Sequence, residues 1–249
     1  MKAALQPAPA VMMYRCRANL GPEDVAPLRN GEIHLWHGPL QPAPGEVAHL
    51  SRGLSPDELE RAERFHFEKN RNEFMFTRGL LRQLLGFYLG NNPAALRFVY
   101  SPHGKPSLLD NNTLKFNLSH TDGMLVCAFA RHREIGVDIE RIRQDFKVEE
   151  IAERFFSMTE RLALRELSAL ERYAAFFHCW TRKEAYIKAR GEGLSHPLHQ
   201  FDVSLAPGQA AALLATRPDP EEARRWALWD LAVSPHYAAA LAAHTTSTE

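Results

Sequence analysis

The sequence lacks several features that would place the chain in a specialised class of protein. Its three cysteines, Cys16, Cys127 and Cys179, are widely spaced with no C-x-x-C pair, which argues against a disulfide framework or a cysteine-based zinc site. No apolar run approaches the ~18 residues of a membrane span. Met1–Met13 alternates Ala, Pro and Gln and makes a poor secretory signal. We therefore expect reduced thiols, a loose tail over Met1–Met13 and a cytoplasmic protein without a membrane anchor.

An excess of positive charge is also missing. Lys and Arg total 30, and Asp and Glu total 30, so the formal net charge is zero. A protein whose main task is to grip nucleic acid usually carries a basic excess. Phosphate-binding Walker loops and H-E-x-x-H metal motifs are absent as well. Hydrophobic residues at 45% and charged residues at 24% are typical of a soluble globular chain, and 249 residues suffice for one large domain or two small ones.

Apolar periodicity and capping signals predict an α+β fold. Two Ser-x-x-Glu sequences, at Ser55 and Ser157, are capping boxes that begin helices. Alanine favours a helix over Tyr237–Ala243, but the turn at Ser234–His236 after an alternating stretch favours a strand, which we predict. Predicted strands lie at 30–40, Leu96–Tyr100, Leu114–Leu118, Met124–Ala130, Arg225–Val233 and Tyr237–His244, and predicted helices at Ser55–Phe65, Arg71–Leu89, Glu160–Leu170 and Arg172–Ala189.

The two halves of the chain show a weak internal similarity. Each half has a capping box, then a longer helix with a Thr-Arg pair and a closing glycine, which we place at Gly86 and Gly191. Such self-similarity is what a duplicated α+β unit would leave, although chance is an alternative explanation. The polar join Arg131–Glu134 marks our domain boundary, which gives an N-terminal half over 1–133 and a C-terminal half over 134–249.

Asp138 and Glu140 form the sharpest local signal. Residues two apart on a strand point to the same face, roughly 7 Å apart, and Gly136 is expected to leave the approach to them open. Two neighbouring carboxylates repel unless a cation lies between them, and oxygen donors suit Mg²⁺. The alternative is the polar face of a half-exposed strand.

Glu184 and Lys188 lie four residues apart on a predicted helix and therefore share a face. They form either a surface ion pair or a functional pair, in which Glu184 is a third oxygen ligand or a base and Lys188 binds a phosphate. Neighbouring Lys183 is a candidate helper. Ser119 and His120 end a predicted strand, where a hydroxyl and an imidazole could meet a phosphate. Lys105, in a Gly-Lys-Pro turn, and Arg61, on the first capped helix, are further candidate functional cations. The alternative is that both are cations exposed to solvent.

The order and spacing of these segments carry more information than any one of them. The combination of Asn117-Leu118-Ser119-His120, Gly136-Val137-Asp138-Ile139-Glu140 and Trp180-Thr181-Arg182-Lys183-Glu184-Ala185-Tyr186-Ile187-Lys188 resembles the 4'-phosphopantetheinyl transferases. The resemblance is to their double-length, surfactin-synthetase-activating subfamily. It spans roughly Arg61 to Phe201, and Phe155-Phe156-Ser157 and Gly191-Glu192-Gly193 extend it.

The resemblance implies two similar, pseudo-twofold-related α+β halves with a cleft between them for coenzyme A. It also implies a reaction in which the 4'-phosphopantetheine arm of coenzyme A moves to a serine of an apo acyl or peptidyl carrier protein and adenosine 3',5'-bisphosphate leaves. The N-terminal half would contribute to coenzyme A binding, and the C-terminal half would hold the metal and catalytic residues. Mg²⁺, or Mn²⁺ in its place, would be the cofactor, and we expect a monomer with no nucleic-acid or membrane partner.

The resemblance also implies residue roles. Asp138, Glu140 and Glu184 would be metal ligands, and Glu184 is our candidate base. Lys188 would contact the pyrophosphate. The other expected coenzyme A contacts are Ser119 and His120 at nucleotide phosphates, Lys105 in its turn, and Arg61 at the 3'-phosphate.

The first half departs from the family pattern at two positions. Glu58 and Phe74 stand where the best-known member has a lysine and a threonine that contact the nucleotide, so the adenine end of the site is undefined by the resemblance. Two other functions are alternatives: a noncatalytic module of this fold that binds coenzyme A or a carrier protein and would have lost the acids, and a Mg²⁺-dependent phosphohydrolase that would use the same carboxylates. The presence of all three acids favours the transferase.

Overall fold

A computed structural model describes residues 9–245 and has the α+β architecture expected from the sequence. The six α-helices in this range are α1 (Pro44–Ser51), α2 (Pro56–Glu63), α3 (Glu68–Leu89), α4 (Val148–Phe155), α5 (Met158–Glu166) and α6 (Ala169–Arg190). The strands are β1 (Ala10–Arg15), β2 (Glu32–Pro39), β3 (Phe98–Tyr100), β4 (Pro106–Leu108), β5 (Leu114–Thr121), β6 (Met124–Arg131), β7 (Ile135–Arg141), β8 (Phe201–Val203), β9 (Leu213–Thr216), β10 (Trp226–Asp230) and β11 (Tyr237–His244). None of the described helices is long and apolar enough to cross a bilayer.

The chain builds the same arrangement twice. In the first half, β2 pairs with β6 of the β5–β6 hairpin, and the sheet order is β1-β2-β6-β5. In the second half, β7 pairs with β11 of the β10–β11 hairpin, and the order is β10-β11-β7. Each half also has a capped short helix, a 22-residue helix and a two-stranded ribbon. The repeat suggested by the sequence is therefore present in the architecture.

Three apolar cores hold the two sheets and the long helices in layers. One core lies between α3 and the first sheet, and another lies between α6 and the second sheet. The third lies between the sheets, where alternate residues of β2, β6, β7 and β11 meet. On β7, Ile135, Val137 and Ile139 enter this third core, which leaves Asp138 and Glu140 on the face towards α6.

The alanine-rich segment Tyr237–Ala243 is a strand, as predicted, and its packing explains its composition. Ala239, Leu241 and Ala243 lie in the core between the sheets. Ala238, Ala240 and Ala242 lie against the core beneath α6, where small side chains let a helix approach a sheet closely. Tertiary packing therefore overrides the helical propensity of alanine here.

The expectation of a loose tail over Met1–Met13 is wrong for its last residues. Residues 1–8 lie outside the described range, but Ala10–Arg15 form β1, which pairs in parallel with β2. The pairing gives the β1 backbone a ladder partner along its whole length, and Val11 packs against the core between the sheets. Composition did not reveal this strand because its stabilisation comes from a distant partner.

The closing glycine of the first long helix is Gly90 rather than Gly86. Gly90 and Gly191 both end their helices in the left-handed conformation, with φ of 66° and 74°, which glycine adopts without strain. Gly86 lies inside α3, where a Cβ atom would come 2.8 Å from the Asn91 carbonyl oxygen. In this register Arg82 and Lys183 are equivalent, since each lies eight residues before its glycine. When the two helices are aligned on their closing glycines, the Thr-Arg pairs, Thr77-Arg78 and Thr181-Arg182, do not occupy equivalent positions.

Arg82 and Lys183 perform the same structural task in the two halves. Arg82 Nε lies 2.5 Å from Glu58 Oε2, and Lys183 Nζ lies 2.8 Å from Glu160 Oε1. Both glutamates belong to capping boxes, so each clamp ties the start of a short helix to its long helix. Lys183 is fully buried and also donates to the carbonyls of Leu198 and Phe201. Its expected role as a catalytic helper is therefore wrong.

Candidate functional site

The predicted acidic residues come together where α6 crosses β7. A Cβ atom on Gly136 would lie 2.2 Å from the Ala185 carbonyl oxygen and 2.3 Å from the Ala189 nitrogen. Only glycine permits this approach, so Gly136 allows α6 to pack against β7. We had expected it to leave an open path to the carboxylates, and that expectation is wrong. The close crossing brings Glu184 near enough to Asp138 and Glu140 for their charges to interact.

Asp138 is the buried centre of this cluster, with 3% of its surface exposed. Its Oδ1 atom lies 2.6 Å from Lys188 Nζ and accepts a 2.8 Å hydrogen bond from Ser119 Oγ. Lys188 Nζ also donates to Ser119 Oγ over 2.9 Å, which closes a three-membered polar cluster. Among residues 9–245, Asp138 Oδ2 has no hydrogen-bond partner although it is buried. A buried carboxylate oxygen left without a donor is costly, so this atom is suited to a bound cation.

The other two carboxylates are held in an environment that disfavours their charge. Burial raises the pKa of Glu184 to about 7, and the charges of Asp138 and Glu140 add to the increase while Lys188 opposes it. Burial and the charge of Asp138 also raise the pKa of Glu140, and its Oε2 accepts a 3.1 Å hydrogen bond from Thr121 Oγ1. Crowding of negative charge of this kind is relieved when a cation binds.

Alternate side chains of β5 join the two halves along a polar seam with β7. Ser119 binds Asp138 and Thr121 binds Glu140, while Asn117 Oδ1 accepts a 2.8 Å hydrogen bond from the Val137 backbone nitrogen. One face of a first-half strand therefore positions both acids of the second half. Lys115 continues the alternation through a 2.9 Å ion pair with Glu134.

A cleft runs from this cluster towards the first half as two adjoining cavities. The first has a volume of about 360 Å³ and the second about 290 Å³. They share Gly104, Pro106, Asn117 and Leu118 in their walls. The second cavity is the acidic end of the cleft: Glu184 of the carboxylate cluster lines it with Lys188, Lys105 and His103, together with Ile187, Gly191 and Gly193.

The first cavity holds two of the predicted basic residues of the N-terminal half, Arg61 and His120. Arg61 lies on its wall with the guanidinium 5.2 Å from the centre of the Phe74 ring, and His120 lines it from the end of β5. Burial lowers the pKa of His120, Lys188 adds to this, and Glu73 opposes it.

Arg78 lines the same cavity and was missed by sequence reasoning. It forms an ion pair with Glu58, donates a 2.7 Å hydrogen bond to the Tyr100 hydroxyl and stacks over Phe98. Glu58 is therefore neutralised by Arg78 and Arg82, whose charges lower its pKa despite its burial. The sequence did carry a signal for Arg78. Glu58 stands where the best-known family member has a lysine, and a carboxylate at that position requires cations around it.

Lys105 lies between the halves with its ammonium already bound by the protein. Nζ donates to Glu134 Oε2 over 3.0 Å, to the Ile135 carbonyl over 3.3 Å and to the Ala189 carbonyl over 2.7 Å. Burial lowers the pKa of this lysine, and the charge of Glu134 opposes the shift. Lys105 lines the second cavity but donates its hydrogen bonds to Glu134, to the first residue of β7 and to α6.

No three His, Cys, Asp or Glu side chains in the described part of the chain stand close enough together to hold a metal ion in this conformation. The donor chemistry nevertheless fits a hard divalent cation. Asp138 offers a buried oxygen without a partner, and the charges of Asp138, Glu140 and Glu184 repel one another. Lys188 offsets part of this negative charge through its ion pair with Asp138.

Comparisons with known proteins identify the family of the chain. A family model for the 4'-phosphopantetheinyl transferase superfamily matches residues 134–242, and a model for the N-terminal region of 4'-phosphopantetheinyl transferases matches residues 38–132. The 4'-phosphopantetheinyl transferase HetI of Nostoc sp. is 38% identical over 218 residues, which cover 86% of this chain and 89% of the relative.

Two relatives from Bacillus show the same similarity over shorter spans. The 4'-phosphopantetheinyl transferase Sfp of Bacillus subtilis is 34% identical over 61% of this chain and 66% of its own length. The 4'-phosphopantetheinyl transferase psf-1 of Bacillus pumilus is 33% identical over 71% of this chain and 73% of its own length.

Proposed function

Because the chain belongs to the 4'-phosphopantetheinyl transferase superfamily, we propose that it transfers the 4'-phosphopantetheine arm of coenzyme A to a serine of an apo acyl or peptidyl carrier protein. Adenosine 3',5'-bisphosphate is the second product. The observation that carries the proposal is the cluster of Asp138, Glu184 and Lys188 at one end of a cleft whose other end holds Arg61. The cleft thus has Arg61 at the end that would receive the 3'-phosphate, and it has the carboxylates and Lys188 at the end that would receive the reacting pyrophosphate.

Coenzyme A is placed with its nucleotide in the first cavity and its pyrophosphate at the acidic end. Arg61 meets the 3'-phosphate, and Arg78 adds positive charge to the same wall. His120, whose pKa is lowered by burial, becomes a cation more readily when a phosphate group lies beside it. This placement supplies the positive charge that a neutral protein needs locally for a polyanionic substrate.

Asp138, Glu140 and Glu184 are proposed to hold Mg²⁺, or Mn²⁺ in its place. When bound, the ion would supply charge stabilisation at the pyrophosphate oxygens. Support comes from the unpartnered Asp138 Oδ2 atom and from the raised pKa values of Glu140 and Glu184. Ser119 and Thr121 orient Asp138 and Glu140 from the neighbouring strand.

Glu184 is the proposed acceptor of the proton from the attacking serine hydroxyl. It lies in the wall of the second cavity, beside Lys188. Lys188 faces the same cavity, where its ammonium would offset negative charge that develops on the leaving phosphate oxygen. The serine of the carrier protein would enter from the same cavity, so that nucleophile, base and leaving group meet at one end of the cleft.

The direct test is mass spectrometry of an apo carrier protein incubated with the full chain, coenzyme A and Mg²⁺. A mass gain of one phosphopantetheine arm, with release of adenosine 3',5'-bisphosphate, supports the transferase. Release of free phosphate without modification would support a phosphohydrolase, and coenzyme A binding without either product would support a noncatalytic module. Replacement of the acceptor serine by alanine in the carrier protein is the matched control, since it removes only the nucleophile.

The division at residues 133 and 134, the monomeric state and the cytoplasmic location stay predictions. The division can be tested by limited proteolysis, and the oligomeric state by sedimentation of the full chain.

A further inference from the structure

Lys188 rests in the position where a cation would be expected. Its Nζ atom lies 2.6 Å from Asp138 Oδ1, and its charge acts on Glu140 and Glu184 as well. The one ammonium therefore contacts Asp138 and acts by its charge on the other two carboxylates that would hold a metal. Its side chain is 31% exposed and lines the second cavity, whereas the side chain of Asp138 is only 5% exposed, so the ammonium reaches a buried carboxylate from the cavity wall. A lysine in such a place can leave without unpacking the helix.

Ser119 sets where this ammonium rests. Its hydroxyl accepts from Lys188 Nζ over 2.9 Å and donates to Asp138 Oδ1 over 2.8 Å. Both directions are consistent with one hydroxyl, which has one proton to give and lone pairs to receive. Asp138 Oδ1 thus receives two donors, and Oδ2 receives none among the described residues. The carboxylate is half satisfied by an internal cation and half available.

We propose that Lys188 is an internal competitor for the metal position, so that its ammonium must leave Asp138 before the carboxylate cluster takes up a divalent ion fully, with Ser119 as the positioning residue that defines the resting place. This inference rests on the proposed function, because coenzyme A supplies the alternative partner for the lysine. A pyrophosphate in the second cavity draws Lys188 away from Asp138, and Asp138 Oδ1 is then available to the divalent ion. Coenzyme A and metal then promote each other's binding through one side chain.

The coupling follows from linkage. A hydrogen bond to a charged group contributes about 1.5–3 kcal/mol. If an ion must break such a bond to enter, its affinity falls by about tenfold or more. A ligand that breaks the same bond first restores that factor, and the gain is reciprocal.

The test measures Mn²⁺ binding to the full chain by electron paramagnetic resonance, without coenzyme A or carrier protein. Lys188→Met is expected to bind Mn²⁺ about tenfold more tightly than the wild type, because the competitor is gone. Arg143→Met is the matched control: Arg143 is exposed and acts on Glu140 by charge alone, so its removal should tighten binding only about twofold. Lys188→Arg, which keeps a cation, should stay close to the wild type.

Further measurements complete the test. Ser119→Ala should change Mn²⁺ affinity while the melting temperature changes little, because a positioning role acts on the lysine rather than on the core. Addition of coenzyme A should increase Mn²⁺ affinity more in the wild type than in Lys188→Met. Equal effects of Lys188→Met and Arg143→Met, or no Mn²⁺ binding by any variant, would overturn the proposal. Since this titration contains no carrier protein, its failure is distinguishable from failure of the transferase, which is read from product masses.

Discussion

Lys105 Nζ lies 2.7 Å from the Ala189 carbonyl oxygen, so a turn of the first half caps the last turn of α6. The carbonyls at a helix C-terminus lack partners within the helix and carry partial negative charge, which suits an ammonium. Because Glu184 and Lys188 are on the same helix, this contact fixes their distance from the first half. The finding adds a structural role to a lysine that sequence resemblance assigns to coenzyme A.

Lys105→Met tests the two roles of this lysine. We expect the free energy of unfolding to fall by about 1–3 kcal/mol, because three acceptors lose a charged donor. Lys115→Met is the matched control, since Lys115 binds Glu134 but does not reach α6. Urea unfolding followed by fluorescence gives the stabilities. Unchanged stability together with a raised KM for coenzyme A would show that Lys105 acts on the substrate alone.

Arg61→Ala is expected to raise the KM for coenzyme A by about tenfold, with little change in kcat, because a charge-assisted contact to the 3'-phosphate is lost. Dephospho-coenzyme A lacks that phosphate, so its KM should be almost unchanged by the substitution. Arg64→Ala, directly after the same helix, is the control, since Arg64 pairs with Glu60 at the surface. Steady-state kinetics with both substrates decide the matter. Equal losses with the two substrates would place Arg61 away from the 3'-phosphate.

Glu184→Gln is expected to lower kcat by about 100-fold or more, because loss of a general base typically costs that much. Coenzyme A affinity, measured by calorimetry, should change far less. Glu192→Gln is a matched control two residues beyond the end of α6, where the carboxylate pairs with Arg190. Near-wild-type turnover of Glu184→Gln at saturating Mg²⁺ would remove this residue from the proposed chemistry.

Glu58→Gln should weaken the fold in a pH-dependent manner. Arg82 and Arg78 lower the pKa of Glu58 although burial opposes them, so the carboxylate stabilises the fold at pH above its ordinary value of 4.5. That contribution is lost as the pH falls below 4.5 and through the lowered pKa. The variant should therefore be less stable than the wild type by about 3 kcal/mol at pH 7, and the difference should narrow at pH 4. Urea unfolding at both pH values measures it, and a constant difference would contradict the assigned cause.

Local signals in the sequence were enough for most elements. The capping boxes at Ser55 and Ser157 begin α2 and α5, because a cap satisfies backbone donors within four residues and needs no distant partner. The turn at Ser234–His236, after an alternating stretch, predicted the last hairpin correctly for a similar reason. Spacing also brought Asp138 and Glu140 to one face, since strand geometry alone fixes it.

Features that depend on distant contacts were missed. β1 is a strand because β2 lies beside it, and the sequence of 10–15 gives no sign of that partner. From the sequence, Lys183 and Lys188 were both candidates for a role in the site. Lys183 is buried in an ion pair with Glu160, whereas Lys188 faces the cleft. The helix rotation that separates them is fixed by packing on β7 and β11. Thr121 was not recognised, because only the β5–β7 seam gives its hydroxyl a carboxylate to bind.

The seam has a consequence for building hybrid enzymes from relatives. Ser119 and Thr121 belong to the first half, and the acids that they orient, Asp138 and Glu140, belong to the second. A hybrid that takes its first half from one parent and its second from another would inherit the two sides of this interface from different lineages. Swaps should keep 115–121 and 134–140 from the same parent, so that the crossover points lie outside this pair of strands.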